Sequence, residues 1–108
     1  DRTPSEVFAE LPNAVSTPEL RVEMEEGEPQ RFMEAFSERT GMLGDAHLTT
    51  IDGVRADFAD GWGLVRSSNT TPNLILRFEA DGISSLQRIQ EQFRQVMRDV
   101  RPDIELPF

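Results

Sequence analysis

The dipeptide Asp52-Gly53 constrains the fold more strongly than any other part of this chain. It stands between two segments of strand-like sequence, His47 to Ile51 and Val54 to Phe58. An Asp-Gly pair in this position is a strong signal for a two-residue hairpin. The turn residues Asp60-Gly61 follow the second segment directly. We therefore predict two antiparallel strands and a further change of direction after them.

Two more strands are predicted after this turn, from Trp62 to Val65 and from Asn73 to Glu79. The second of these has an apolar residue at every other position, which is the pattern of a strand with one face in the core. The core-facing residues are Leu74, Leu76, Phe78 and Ala80. Together with the hairpin, these strands are expected to form a four-stranded meander.

A helix is predicted before the meander and another after it. Glu28 to Thr40 places Phe32 and Phe36 on one helical stripe. Ile83 to Val100 has apolar residues at the same spacing, until Pro102 ends the helix. Both segments are therefore predicted to pack one face against the sheet.

The order of these elements decides the fold class. A strand of strictly alternating residues is predicted from Leu20 to Met24, so the chain continues as strand, helix, four strands and helix. Hairpin-linked strands followed by a helix describe an α+β fold, a mostly antiparallel sheet with helices packed on one face.

The first 17 residues are expected to be a separate segment. Asp1 to Glu10 is predicted as the end of a helix, with Pro4 at its first position, in a piece of a longer polypeptide. Leu11 to Thr17 is rich in turn residues and is predicted to be an interdomain hinge. The chain is thus divided into residues 1–17, a helix end and connector, and residues 18–108, a folded domain.

Composition disfavours several classes of function. The chain has 108 residues, enough for one modest core. Eleven basic and twenty acidic residues give a net charge of −9, which disfavours nucleic acid and anionic membranes as partners. The sequence has no cysteine, which excludes disulfides and thiolate zinc sites. No apolar run approaches the roughly 18 residues of a membrane helix, and we expect a cytoplasmic protein.

A polar loop after the third meander strand is the strongest candidate for a binding site. Arg66 stands at the strand end, and its planar guanidinium suits phosphate oxygens. Ser68, Asn69 and Thr70 follow and add short-range donors. Taken alone, these residues also fit an ordinary polar turn that ends at Pro72. In an acidic chain, such a loop predicts a small and selective anion site, because salt screens distant charges beyond about 8–10 Å.

The same stretch carries a resemblance to a known family. Gly61 to Pro72, followed by Leu74 to Ala80, resembles the C-terminal domain of the bacterial phosphomannomutase/phosphoglucomutase branch of the α-D-phosphohexomutases. The similarity is ungapped and extends from about Ser16 to Phe108, which is most of the chain. It implies a TATA-binding-protein-like α+β domain, in agreement with the periodicity. Ser67 departs from the family pattern, since many relatives carry alanine there.

The resemblance also implies a function and site residues. It places Arg66, Ser68, Asn69 and Thr70 where the family holds the non-reacting phosphate of the substrate. The complete enzyme would interconvert the 1-phosphate and 6-phosphate of glucose or mannose through a bisphosphate intermediate. Its phosphoserine and Mg²⁺ would belong to other domains of the same chain. This domain alone would have no cofactor, metal site or catalytic residue; it would bind the phosphosugar and close the active site by hinge motion.

Other conspicuous residues are given structural roles. Arg55 and Arg77 are expected on polar strand faces, paired across strands with Asp57 or Glu79. His47 has no second ligand at metal spacing and is expected to be structural. The alternative to a phosphosugar domain is a non-enzymatic, acidic α+β protein-interaction module whose polar loop is only a turn.

Overall fold

The computed structural model describes residues 14–44, 46–50, 53–68 and 70–108. The predicted opening helix, Asp1 to Glu10, lies outside these ranges. Within them the elements are β1 Val15–Ser16, β2 Leu20–Glu23, α1 Glu28–Ser37, a 3-10 helix Thr40–Leu43, β3 His47–Thr49, β4 Val54–Phe58, β5 Gly61–Ser67, β6 Asn73–Ala80 and α2 Ile83–Val100.

The strands form one antiparallel sheet in the order β1-β6-β5-β4-β3, and β2 also pairs with β6. β1 and β2 lie along the same side of β6 as one interrupted edge strand. Thr17 bridges the interruption: its N–H donates to the Phe78 carbonyl at 2.9 Å, and its Oγ1 accepts from the Phe78 N–H at 3.2 Å. Part of the predicted connector, from Val15 to Thr17, is therefore bound to the sheet.

Both helices pack on the same face of this sheet, which confirms the predicted α+β class. The core-facing residues of β6 are fully buried, as their alternation predicts. Phe93 of α2 lies edge-on to Phe78 of β6, with ring centroids 5.3 Å apart, and also meets Phe36 of α1 at 5.8 Å. A Cβ added to Gly63 of β5 would lie only 2.6 Å from Phe93 Cε1, so the absence of a side chain there lets α2 approach the sheet.

Helix α1 is shorter than its periodicity predicts. It ends at Ser37 rather than Thr40, because the Arg39 backbone leaves the helical region at φ −114°. The Arg39 guanidinium Nη1 then donates to the Ala35 carbonyl at 2.8 Å, which satisfies one acceptor near the helix end. The following 3-10 helix buries Leu43 in the core.

Four strands differ from their predicted bounds, of which β2 and β6 differ by one residue at their ends, Glu23 and Ala80. β3 ends at Thr49, two residues before the predicted end. β5 runs to Ser67 rather than Val65, because Arg66 and Ser67 pair with Ile75 and Leu74 of β6. The candidate arginine therefore belongs to the sheet itself, two residues before the loop.

The polar face of the sheet holds an ion pair that differs from the prediction. Arg55 pairs with Asp57 two residues along the same strand, with Nη2 and Oδ1 3.2 Å apart, rather than with a carboxylate across strands. The Arg55 guanidinium also lies 4.4 Å from the ring centroid of Trp62, which directs it along β4.

Candidate functional site

Arg66 lies on β5 opposite Ile75 and is half-exposed. Among the residues that the structure describes, its guanidinium has no hydrogen-bond or ion-pair partner. Six other arginines do pair with carboxylates: Arg21, Arg39, Arg55, Arg88, Arg94 and Arg101. In a chain with net charge −9, an arginine whose donors have no acceptor within the described ranges is a candidate anion ligand.

A cavity of about 680 Å³ lies beside Arg66. One wall is the polar face of α1, and the other comprises the end of β5 and the hairpin that precedes β4. The lining residues are Gln30, Met33, Glu34, Ser37, Thr50, Gly53, Arg66 and Ser67. The described lining residues thus place one guanidinium, one carboxylate and several neutral polar groups around a space large enough for a sugar phosphate.

Gly53 fixes the position of Arg66 by close packing. Its φ is +146°, and a Cβ built on it would lie 2.6 Å from the Arg66 Cβ and 2.6 Å from the Val65 carbonyl oxygen. A side chain at Gly53 would therefore push against the arginine. The hairpin glycine that the sequence identified as a turn signal is also a packing surface for the candidate site.

The loop from Ser68 to Pro72 is closed by backbone hydrogen bonds. The Ser68 N–H donates to the Asn73 carbonyl at 2.9 Å, and the Asn73 N–H donates to the Thr71 carbonyl at 2.8 Å. Ser68 itself is only 8% exposed. The position of the Ser68 side chain is therefore fixed by its contacts within the loop.

The Ser68 hydroxyl is the hydrogen-bonding centre of this loop. Its Oγ accepts from the Thr70 N–H at 3.3 Å, from the Thr71 N–H at 3.4 Å and from the Thr71 hydroxyl at 3.3 Å. The Thr71 Oγ1 in turn accepts from the Asn73 side-chain amide at 2.7 Å. A row of three side chains thus runs from Asn73 through Thr71 to Ser68.

The predicted site residues line two adjacent hollows rather than one. Ser68 and Thr70 line a smaller space of about 250 Å³ with residues 26, 27 and 30 at the start of α1. Gln30 lines both spaces and stands between them. Arg66 is thus brought near Ser68 and Thr70 along the chain, and α1 covers both hollows. The fourth predicted residue, Asn69, lies outside the described residues.

Sequence reasoning missed the contribution of α1. Gln30, Glu34 and Ser37 are spaced by four and three residues, so they share one helical face. This polar face was visible in the sequence as the complement of the Phe32 and Phe36 stripe. What the sequence did not supply was the orientation of that face towards the end of β5.

No group of three or more His, Asp or Glu side chains that could hold an ion occurs in the described ranges. None of the helices in this part of the chain is long and apolar enough to cross a membrane.

Comparison with known proteins identifies the domain type. Residues 19–96 match the family model described as phosphoglucomutase/phosphomannomutase, C-terminal domain. A phosphomannomutase/phosphoglucomutase of Pseudomonas putida is 47% identical over 108 residues, which is 100% of this chain and 23% of that protein. A phosphoglucomutase of Neisseria gonorrhoeae is 45% identical over 95 residues, covering 87% of this chain and 21% of that protein.

A solved structure agrees with these matches. The crystal structure of a phosphoglucomutase/phosphomannomutase family protein from Burkholderia thailandensis superimposes with a TM-score of 0.78 at 42% sequence identity. The match covers 97% of this chain and 22% of that structure. The chain spans less than a quarter of the relatives it matches. By the family match, the identity and the shared fold, this chain belongs to the family of phosphoglucomutase/phosphomannomutase C-terminal domains.

Proposed function

We propose that this domain binds the non-reacting phosphate of a hexose 1-phosphate or 6-phosphate within a complete phosphomannomutase/phosphoglucomutase. The ligands are Arg66, Ser68, Asn69 and Thr70. The observation that carries the proposal is the guanidinium of Arg66, which has no partner among the described residues and borders a cavity of about 680 Å³. Phosphate is the natural occupant, because a guanidinium can donate two parallel hydrogen bonds to its oxygens.

The acidic surroundings support selectivity. Glu34 lines the same cavity as Arg66, and Glu26 lines the smaller hollow. These carboxylates repel a polyanion that approaches over a broad surface. A single phosphate group that reaches Arg66 and the loop donors is still held by short, charge-assisted contacts. The site therefore favours a small ligand that presents one phosphate group on an uncharged sugar.

The domain holds the substrate rather than transforming it. Binding a phosphate far from the reacting group supplies free energy that orients the sugar and helps to exclude water from the reaction. No catalytic residue is assigned within these 108 residues. The proposal assigns the Mg²⁺ ion and the phosphoserine to other domains of the same polypeptide, acting in the cytoplasm, as the family resemblance implies.

Hinge motion is the second part of the proposal. The connector within residues 1–17 would let the domain swing over the active site when the phosphate binds. Thr17 is bound to Phe78 on β6 through two hydrogen bonds. Val15 pairs with Ala80 of the same strand. Residues 15–17 therefore move with the sheet, and the proposed pivot lies before Val15.

A backbone amide NMR titration with glucose 1-phosphate tests the proposal. We expect saturable shifts in the loop from Arg66 to Thr71, no such shifts with free glucose, and their loss in Arg66→Ala. The exposed Arg77→Ala variant serves as the matched control. If the loop gives no response in this chain and Arg66→Ala leaves the KM of the complete enzyme unchanged, the phosphate assignment is wrong. The protein-interaction module then becomes the better hypothesis.

A further inference from the structure

The side chains of Asn73, Thr71 and Ser68 form a directed row of hydrogen bonds beneath the candidate phosphate site. The Asn73 amide donates to Thr71 Oγ1 at 2.7 Å, and the Thr71 hydroxyl donates to Ser68 Oγ at 3.3 Å. An amide Nδ2 is only a donor, so the Thr71 oxygen accepts from it and the Thr71 proton is free to point towards Ser68. The direction of the row is therefore set at Asn73.

The row determines what the Ser68 hydroxyl can do. A hydroxyl has two acceptor lone pairs and one proton. The Ser68 oxygen already receives the Thr70 and Thr71 N–H groups as well as the Thr71 hydroxyl. Its acceptor capacity is thus filled, and its own proton remains to be donated. Within the described part of the chain, Thr70 Oγ1 also lies 3.4 Å from the Ser68 Oγ, and either hydroxyl could donate in that long contact.

A donor is what a phosphate requires. A phosphate dianion presents only acceptor oxygens, so a hydroxyl that points a lone pair at it is repelled, whereas one that points its proton is attracted. We propose that Asn73 and Thr71 are positioning residues that hold the Ser68 hydroxyl with its proton directed at the phosphate. This inference rests on the proposed function, because it concerns the same phosphate site.

Thr71 lines the same hollow as Ser68, but neither Thr71 nor Asn73 donates a hydrogen bond to the phosphate in this assignment. The Thr71 hydroxyl proton is used within the loop, and the Asn73 amide lies one step further away. Both act through Ser68. This separates them from Arg66, whose guanidinium is available to the ligand directly, and it predicts that their effects depend on the presence of the Ser68 hydroxyl.

The test uses steady-state kinetics of the complete enzyme with glucose 1-phosphate. Thr71→Val keeps the shape of the side chain and removes the hydroxyl, and Asn73→Leu removes the amide. We expect each to raise KM about 3- to 10-fold, the effect of one lost hydrogen bond. Thr71→Ser keeps the hydroxyl and should therefore have the wild-type KM. Gln87→Leu, the same amide-to-apolar change on an exposed position of α2, should leave KM unchanged.

A double-mutant cycle separates positioning from simple loop stability. If Thr71 acts through Ser68, then Thr71→Val has no further effect on KM once Ser68→Ala is present. An equal rise in KM in both backgrounds, or no rise in either, overturns the proposal. The Arg66→Ala variant is measured in parallel. If it also leaves KM unchanged, the phosphate assignment itself is wrong. If Arg66→Ala raises KM strongly and Thr71→Val does not change it, only the positioning role of Thr71 and Asn73 is wrong.

Discussion

Gly53 and Arg66 are packed so closely that a single added carbon on the glycine would meet the arginine Cβ at 2.6 Å. The contact joins the hairpin before β4 to the strand that carries the candidate phosphate ligand. Gly53 thus supports the backbone of Arg66, and the geometry of the site depends on a residue that has no side chain to offer a ligand.

Gly53→Ala is therefore expected to weaken phosphate binding. The new Cβ would collide with Arg66 and with the Val65 carbonyl, and the φ of +146° is unfavourable for alanine. We expect a KM for glucose 1-phosphate about 3- to 10-fold higher and a loss of stability of about 1–3 kcal/mol. Gly41→Ala is the control, since a Cβ there meets nothing within 4 Å. Equal behaviour of the two variants would contradict the packing argument.

Replacing Arg66 tests the charge itself. Arg66→Ala removes a charge-assisted contact of about 1.5–3 kcal/mol, which corresponds to roughly ten- to a hundredfold in affinity. Arg66→Lys keeps the charge but loses the planar arrangement of donors. Its affinity should therefore lie between that of the wild-type protein and that of Arg66→Ala. Isothermal titration calorimetry with the sugar phosphate measures the affinity of both variants, and thermal unfolding measures their stability. A lower unfolding temperature with unchanged affinity would assign Arg66 a structural role instead.

Gly63→Ala tests how α2 is seated on the sheet. The added methyl would overlap the Phe93 ring, with a distance of 2.6 Å to Cε1. We expect a loss of about 1–3 kcal/mol, typical of overpacking, in urea unfolding. Replacing the Phe93 ring by the smaller leucine side chain, in a Gly63→Ala, Phe93→Leu double variant, should recover part of this loss. If the double variant is less stable by the sum of the single effects, the two residues are not coupled as described.

The ion pair between Asp60 and Arg88 gives a pH-dependent prediction. Two contacts of 2.6 Å join the carboxylate to the guanidinium, and this hydrogen bonding lowers the pKa of Asp60 from its ordinary 3.8. A lowered pKa contributes stability that is present above 3.8 and lost as the pH falls through the folded-state pKa.

Asp60→Asn should therefore destabilise the chain at pH 7 and lose this effect in acid. The side chains of Asp60 and Arg88 are 23% and 48% exposed, so solvent screening limits the difference to about 0.5–1 kcal/mol. Urea unfolding of both proteins between pH 7 and pH 2 measures it. A difference that stays constant over this range would show that the amide acts through packing and not through charge.

Much of the fold could be predicted from periodicity. Helix α2 has the predicted bounds because its apolar stripe is uninterrupted and Pro102 ends it. The core face of β6 was predicted for the same reason. The end of β5 was wrong by two residues, because Ser67 is held in the sheet by its pairing with Leu74, and a pairing partner cannot be seen in a local pattern.

The candidate site was predictable only in part. Arg66 and its polar loop stand together in the sequence, so local chemistry could identify them. The positions of Gln30 and Glu34 on the opposite wall depend on how α1 lies against the sheet. The burial of Ser68 and its contact with Thr71 depend on the closure of a tight loop. These contacts arise from tertiary packing, to which residue type alone is a weak guide.

The interrupted edge strand has a consequence for aggregation. At one side of the sheet, β1 and β2 have two and four residues, with Pro18 between them; at the other side, β3 has three. Short edges and a proline without an N–H are poor templates for pairing with another chain. The two short edges thereby protect the domain from aggregation through its sheet.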